Sequence, residues 1–199
     1  MNRTLFTIIL SASFLTPQFA LSSEVVQQKL NTLINEVGYL CGNEPAEAKS
    51  QNLAQSATSK SDQLKQKKSE LQSHISVIDG WDLVTTIEQA VLSNKSQSTT
   101  KITKLIYLLG AADPSYANPV LQKIYDQSKS IAATTLPKGT PVEIKKEALN
   151  SSRIDIITAV IDAIELSGTY SLNGVLNKEA ASASPSSERA KLLLKNQKL

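Results

Sequence analysis

Cys41 and His74 are the one cysteine and the one histidine of the chain, and together they could supply a nucleophile and its general base. A catalytic cysteine needs an environment that favours the thiolate, such as a helix amino terminus or nearby cations. The pattern around Cys41 instead places it at the carboxyl end of a helix, where the helix dipole disfavours the thiolate. We therefore predict a buried or half-buried structural cysteine. With no second cysteine an internal disulfide is excluded, but a bridge to another chain remains possible.

A second candidate is the set of carboxylates at Asp155, Asp162 and Glu165, which fall on one face of a predicted helix. Asp162 and Glu165 lie one turn apart and could bind a hard cation or act as an acid–base pair. A solvated polar stripe is the simpler interpretation, and we favour it. Because Glu165 lies near the negative end of its helix, we expect it to have a basic neighbour in space.

Other chemical motifs are weak or missing. Ser98 and Lys101 match the Ser-x-x-Lys pattern of serine acyl-enzymes, but the companion motifs of those enzymes do not occur. A single histidine excludes a two-histidine zinc site, and there is no glycine-rich phosphate loop, Gly-x-Ser-x-Gly elbow or EF-hand loop. The sequence thus predicts no catalytic, cofactor-binding or metal site. The alternative is a small exported hydrolase that uses Cys41 or the Asp162/Glu165 face.

The amino-terminal residues 1–22 resemble a secretory signal. Arg3 precedes an apolar stretch from Leu5 to Leu15, and small residues suggest cleavage after Ala20 or Ser22. An apolar run of eleven residues is short of the roughly 20 that a membrane-spanning helix needs. We therefore expect a protein exported to the periplasm or the extracellular space, with no membrane span after cleavage. The 21 basic and 18 acidic residues form no basic stripe, so we expect no nucleic-acid partner.

The spacing of apolar residues predicts an all-α fold, an irregular helical bundle or hairpin stack of about five to six helices. In residues 23–42 the apolar positions form one seam of an amphipathic helix, which should end before Pro45. Residues 43–78 are rich in Ser, Gln and Lys and predict an extended polar helix, with a disordered spacer as the alternative. Residues 169–199 predict a linker and a flexible basic tail, which could include a short helix.

Residues 79–168 form the predicted helical core domain. Its expected helix starts are Asp79, Thr100, Asp113-Pro114, Asn118-Pro119 and the capping box Thr140-Pro141-Val142-Glu143, and its expected stops include Gly110 and Gly168. The segment from Ile154 to Leu166 is the predicted central core helix, although the helix containing it could break at residues 150–152.

These observations together predict an exported, non-catalytic structural or protein-interaction module, and they favour an accessory of a cell-envelope or secretion assembly. Its mechanism would be the burial of apolar surface against a protein partner or another copy of itself, without cofactors. The residues singled out as interaction candidates share a large apolar or aromatic side chain on a predicted helix. They are Leu53, Leu64, Leu71, Trp81, Tyr107, Tyr116 and Tyr125.

Overall fold

The computed structural model describes residues 25, 28–35, 56–76, 78–93, 97–136, 138–169 and 171–196. Throughout these ranges the regular structure is helical and no strand occurs, so the all-α prediction is confirmed. Nine helical segments are present within them, more than the five to six predicted. They are α1 (28–35), α2 (Ser56–Ile75), α3 (Gly80–Leu92), α4 (Thr99–Leu109), α5 (Pro114–Asp126), α6 (Ser128–Thr135), α7 (Val142–Ser167), α8 (Asn173–Ala180) and α9 (Ser187–Asn196). The predicted signal peptide, Cys41 and Leu53 lie outside the described residues.

Side-chain caps fix the starts of α3 and α4. One carboxylate oxygen of Asp79 accepts hydrogen bonds from the first amides of α3, which confirms the predicted cap. Helix α4 begins two residues earlier than predicted because Ser98, not Thr100, is its cap. The Ser98 hydroxyl accepts a hydrogen bond from the amide of Lys101 at 3.3 Å. The Ser-x-x-Lys pattern therefore corresponds to a helix start.

Helix α5 shows which of two predicted starts is used. Asp113 caps the helix by accepting the Ser115 amide at 2.8 Å, and Pro114 occupies the first turn, as predicted. The second predicted start, Asn118-Pro119, is wrong, because Pro119 lies inside α5. The earlier cap has already begun the helix, and the proline removes a single backbone donor near its amino end.

Helix α7 is the longest described element and supplies the centre of the core. It begins directly after Pro141, one residue later than the capping box at Thr140 predicts, and no side chain caps this start, so the predicted capping box is wrong. It ends at Gly168, whose φ of 68° is left-handed backbone that favours glycine, so the predicted stop is confirmed. The helix runs without a break through residues 150–152. Its carboxyl-terminal half is mostly buried, including Val160 and Ile161, which confirms the predicted core helix.

Helices α4 and α7 run side by side in the same direction. The hydroxyls of Thr99 and Ser152 lie 3.2 Å apart near one end, 53 residues apart in sequence. Near the other end Gly110 packs on Ala163, again 53 residues later, and a Cβ on Gly110 would lie 2.5 Å from the Ala163 carbonyl oxygen. Glycine is thus required at position 110 for close helix packing. Its φ of −66° is ordinary right-handed helix, so it does not end α4 by left-handed backbone.

Helices α5 and α8 repeat this arrangement. The amide of Asn118 donates to the Ser171 hydroxyl, and the Lys178 ammonium lies 3.2 Å from the Asp126 carboxylate, at separations of 53 and 52 residues. The second contact lies further along both helices than the first, so the two helices run parallel. Besides α4, helix α7 contacts α2, α5, α6 and α9, so most of the other described helices pack against it.

Helix α2 lies across the carboxyl ends of α4 and α7. The Lys68 ammonium donates to the carbonyl of Ser167 at 2.7 Å, and the Gln72 amide donates to the carbonyl of Ala111 at 3.2 Å. These contacts satisfy carbonyl groups at helix ends, and the lysine also complements the negative end of α7. Residues 56–75 are therefore helix and not a disordered spacer, and the last turns of α2 pack into the core through Leu71 and Ile75.

The predicted linker and flexible tail over residues 169–199 is wrong for 171–196. Helices α8 and α9 pack on each other and on the core and bury Val175, Leu176, Ala190 and Leu193. A ten-residue helix such as α9 is marginal in isolation, but here the chain itself supplies the apolar partner that stabilises it. None of the described helices is long and apolar enough to cross a membrane.

Candidate functional site

The structure brings Asp162 and Glu165 together, as the sequence predicted, and places Arg189 of α9 between them. One oxygen of Asp162 lies 3.3 Å from the guanidinium group, which also contacts Glu165. The side chains of Asp162, Glu165 and Arg189 are 7%, 12% and 19% exposed. The expected basic neighbour of Glu165 is thus present. The expected solvated stripe is wrong for Asp162, because α9 folds over this face.

In this arrangement Arg189 contacts both carboxylates. A hard cation between Asp162 and Glu165 would have to displace the arginine, which already supplies the opposite charge. Elsewhere in the described ranges no group of three or more potential metal-ligating side chains comes together. Asp155, the third member of the predicted set, is exposed, although partial burial raises the pKa of its carboxyl group.

Sequence reasoning missed Glu179, which is a buried carboxylate at the end of α8. Its exposed fraction is 2%, and it accepts hydrogen bonds from four hydroxyl groups. The Tyr125 hydroxyl lies 3.0 Å away and that of Ser182 3.1 Å, and the hydroxyls of Ser184 and Ser186 also donate to it. We call this the Glu179 cluster. A possible signal was the alternation of serines at 182, 184 and 186 directly after a helix.

Electrostatics agree with a structural role for the Glu179 cluster. Burial alone would raise the pKa of Glu179, but the hydrogen bonds from Ser184, Ser186, Tyr125 and Ser182 outweigh it and lower that pKa below its ordinary value of 4.5. Burial, together with the hydrogen bond to Glu179, raises the pKa of Tyr125. The carboxylate therefore stays ionised and holds the α8–α9 loop against α5.

The interaction candidates separate into buried and exposed sets. Leu71, Tyr107 and Tyr125 are buried within the chain, so they offer no surface to a partner. Leu64 is half-buried against the core, whereas Trp81 and Tyr116 are 53% and 46% exposed. His74 is half-buried near the end of α2, and Cys41, the one residue that could form a nucleophile and base pair with it, lies outside the described residues.

Trp81 lies on α3 and Tyr116 on α5, two helices that share a boundary. The ammonium of Lys123 lies 2.6 Å from the carboxylate of Glu88, which joins the two helices at this boundary. Trp81 precedes Glu88 by seven residues and Tyr116 precedes Lys123 by seven, and seven residues return a helix to nearly the same face. The two aromatic candidates are therefore on the same side of the molecule as this ion pair.

A concave surface lies between α6 and the first turns of α7. Its volume is about 980 Å³, and we call it the basic groove. Apolar side chains of Ala133, Val142 and Leu149 line it together with several charged groups. Its cations are Lys129, Lys145, Lys146 and Arg153, and its carboxylates are Glu143 and Glu147. The sequence analysis did not single out any of the apolar or basic lining residues as a site.

No family model, curated protein or solved structure matches this chain. Its function therefore has to be inferred from the surfaces that the fold exposes. The groove combines concavity, apolar contact area and unequal charge, which are properties that suit recognition of another molecule.

Proposed function

We propose that this chain is an exported, non-catalytic helical module that works by binding another protein, as an accessory of a cell-envelope or secretion assembly. The observation that supports this function is the basic groove. There the amino-terminal turns of α7 extend beyond the core and present apolar and charged side chains together. Binding would bury that apolar surface, which contributes roughly 25 cal/mol for each Å² removed from water.

The exposure of the α7 turns supports a surface role for them. Val142 and Ile144 are 81% and 53% exposed, and all the residues from 141 to 147 are exposed. Single exposed apolar side chains are common on soluble proteins. In the basic groove, however, Val142 shares a concave surface with Leu149 and four cations. Such a combination is more typical of a recognition surface than of a single exposed apolar side chain.

Photo-crosslinking tests the binding function directly. We would introduce p-benzoylphenylalanine at Val142 and, as a control, at the exposed Asn177 of α8, and irradiate cells that express each variant. We expect a discrete adduct of one protein, or of a second copy of this chain, from position 142 and none from position 177. Equal, diffuse labelling from both positions, or no adduct from either, would contradict the proposal.

Export is a separate part of the proposal and has its own test. It is supported by Arg3 and by the apolar stretch from Leu5 to Leu15. We expect the chain produced in a secreting bacterial host to leave the cytoplasm and to begin at Leu21 or Ser23. Cell fractionation followed by amino-terminal sequencing measures both. A cytoplasmic chain that retains Met1 would disprove the export claim without affecting the binding claim.

A further inference from the structure

We infer that the partner of the basic groove is an acidic amphipathic helix, which lays its apolar face on Val142 and Leu149 and its carboxylates against the surrounding cations. This inference rests on the proposed binding function and specifies the chemistry of the partner. It follows from the arrangement of charge, the shape of the groove and the helical character of its walls.

The α7 wall of the groove has a regular pattern. Val142 and Leu149 are seven residues apart, and so are Lys146 and Arg153, so each pair recurs after nearly two full turns on one helix face. Apolar and basic side chains therefore alternate along the same side of α7. An opposing helix with leucines at this spacing and flanking carboxylates would match both sets.

The charge of the groove is unbalanced. Four cations and two carboxylates line it, which gives 4 − 2 = +2. In the described part of the chain, Lys129, Lys145, Lys146 and Arg153 form no salt bridge with a carboxylate. Arg189, by contrast, is committed to Asp162 and Glu165. The groove cations thus remain available to a partner, and complementary charge favours an acidic one.

The shape of the groove favours a helix over an extended strand or a membrane. The described residues contain no strand, so no sheet edge is available there to bind an extended peptide. A groove between two helices accepts a third helix by the same side-chain packing that forms helical bundles. A flat anionic membrane would contact the exposed cations but would reach the half-buried Leu149 less well than a convex helix does.

Peptide titration tests the inference with defined probes. We would prepare three fluorescein-labelled 18-residue amphipathic helices with one leucine face and with Glu, Gln or Lys at the flanking positions. Fluorescence anisotropy would measure their binding to the processed chain at low and at high salt. We expect the Glu peptide to bind at least about tenfold more tightly than the other two and to weaken as salt rises.

Charge reversal then locates the binding surface. In the double variant Lys146→Glu, Arg153→Glu we expect the Glu peptide to lose at least about tenfold in affinity and the Lys peptide to gain affinity. The matched control is Lys191→Glu with Lys195→Glu, which reverses two exposed cations of α9 and should leave both affinities unchanged. All four side chains are exposed, so we expect both double variants to fold. Circular dichroism of each variant checks this.

The contrary outcomes are distinct. Failure of the Glu peptide to bind, equal binding of all three peptides, or indifference to the groove reversal would overturn the acidic-helix inference. Binding of the chain to phosphatidylglycerol vesicles in preference to the Glu peptide would identify a membrane surface instead. If the crosslinker at Val142 still captures one protein, the proposed binding function stands and only the partner chemistry is wrong.

Discussion

The two halves of α7 belong to one continuous helix but have opposite environments. From Ser152 onward most side chains of the helix are buried, and Asp162, its buried charge, is held by Arg189. Before Ser152 the side chains are exposed or half-buried, and the cations that line the basic groove form no ion pair with described carboxylates. Helix formation therefore does not require burial along its whole length.

The difference in burial between the two halves of α7 separates the residues that stabilise the fold from those available for recognition. The carboxyl-terminal half anchors the helix, and the amino-terminal turns can continue from it because helix propagation costs far less than nucleation. Side chains on those turns are therefore largely free of packing constraints. Substitutions in the two halves should have very different effects on stability, and four predictions follow that comparison from the largest effect to the smallest.

Removal of the Arg189 side chain should lower the free energy of unfolding more than any of the other substitutions. Arg189→Ala removes the guanidinium group that pairs with the mostly buried Asp162 and Glu165, and we expect the free energy of unfolding to fall by about 3 kcal/mol. Chemical denaturation measures the change. The control, Lys191→Ala, removes an exposed ion pair with Glu188 and should cost less than about 0.5 kcal/mol. Equal losses in the two variants would show that Arg189 is not an essential part of the packed half.

A methyl group at position 110 should have the next largest effect. Gly110→Ala places a Cβ 2.5 Å from the Ala163 carbonyl oxygen, so α4 and α7 must separate, at a cost of about 2 kcal/mol. Gly174→Ala in α8 is the matched control, because a Cβ there meets nothing within 4 Å. We expect Gly174→Ala to be neutral or stabilising, since alanine favours helix. Thermal denaturation measures the difference. Equal melting temperatures for the two variants would contradict the close packing of α4 and α7.

Acid should weaken the Glu179 cluster. Because the pKa of Glu179 is lower in the folded chain than its ordinary value of 4.5, its contribution to stability is present above pH 4.5 and is lost as the pH falls through the folded-state value. Glu179→Gln should cost about 1.5 kcal/mol at pH 7 and make stability depend less on pH below 4.5. Denaturation at a series of pH values measures both. An unchanged acid dependence in the variant would exclude this role.

The smallest effect is expected at the exposed end of α7. Val142→Ala should change the free energy of unfolding by less than about 0.5 kcal/mol, because that side chain is 81% exposed. The same substitution at the fully buried Val160 should cost about 2 kcal/mol, because it leaves a cavity. An equal loss of stability at the two valines would mean that the first turns of α7 are packed. That result would contradict the difference in burial between the two halves of the helix.

Local features of the fold could be predicted from the sequence. The caps at Asp79 and Asp113, the stop at Gly168 and the apolar run from Ile154 to Leu166 act within a few residues, so they can be read from the chain directly. Glycine at 110 was predicted as a helix stop, but its structural reason is contact with Ala163. That contact depends on residues 53 positions apart, which no local pattern reveals.

The carboxyl-terminal region shows why the rest could not be predicted. Arg189 reaches Asp162 and Glu165 across 27 and 24 residues, and the Tyr125 hydroxyl reaches Glu179 across 54, so these partners are set by tertiary packing. One sequence signal was overlooked. Residues 118–123 read Asn-Pro-Val-Leu-Gln-Lys and residues 173–178 read Asn-Gly-Val-Leu-Asn-Lys, which predicts a second helix where a linker was expected.

Hydrogen exchange along α7, followed by mass spectrometry of the processed chain alone, tests the central claim most directly. It reports separately on the turns that line the basic groove and on the buried turns. We expect amides at 146–150 to exchange much faster than those at 156–166, and addition of the acidic peptide to slow only the first set. Uniformly strong protection along α7 before any peptide is added would contradict an exposed, partner-binding half.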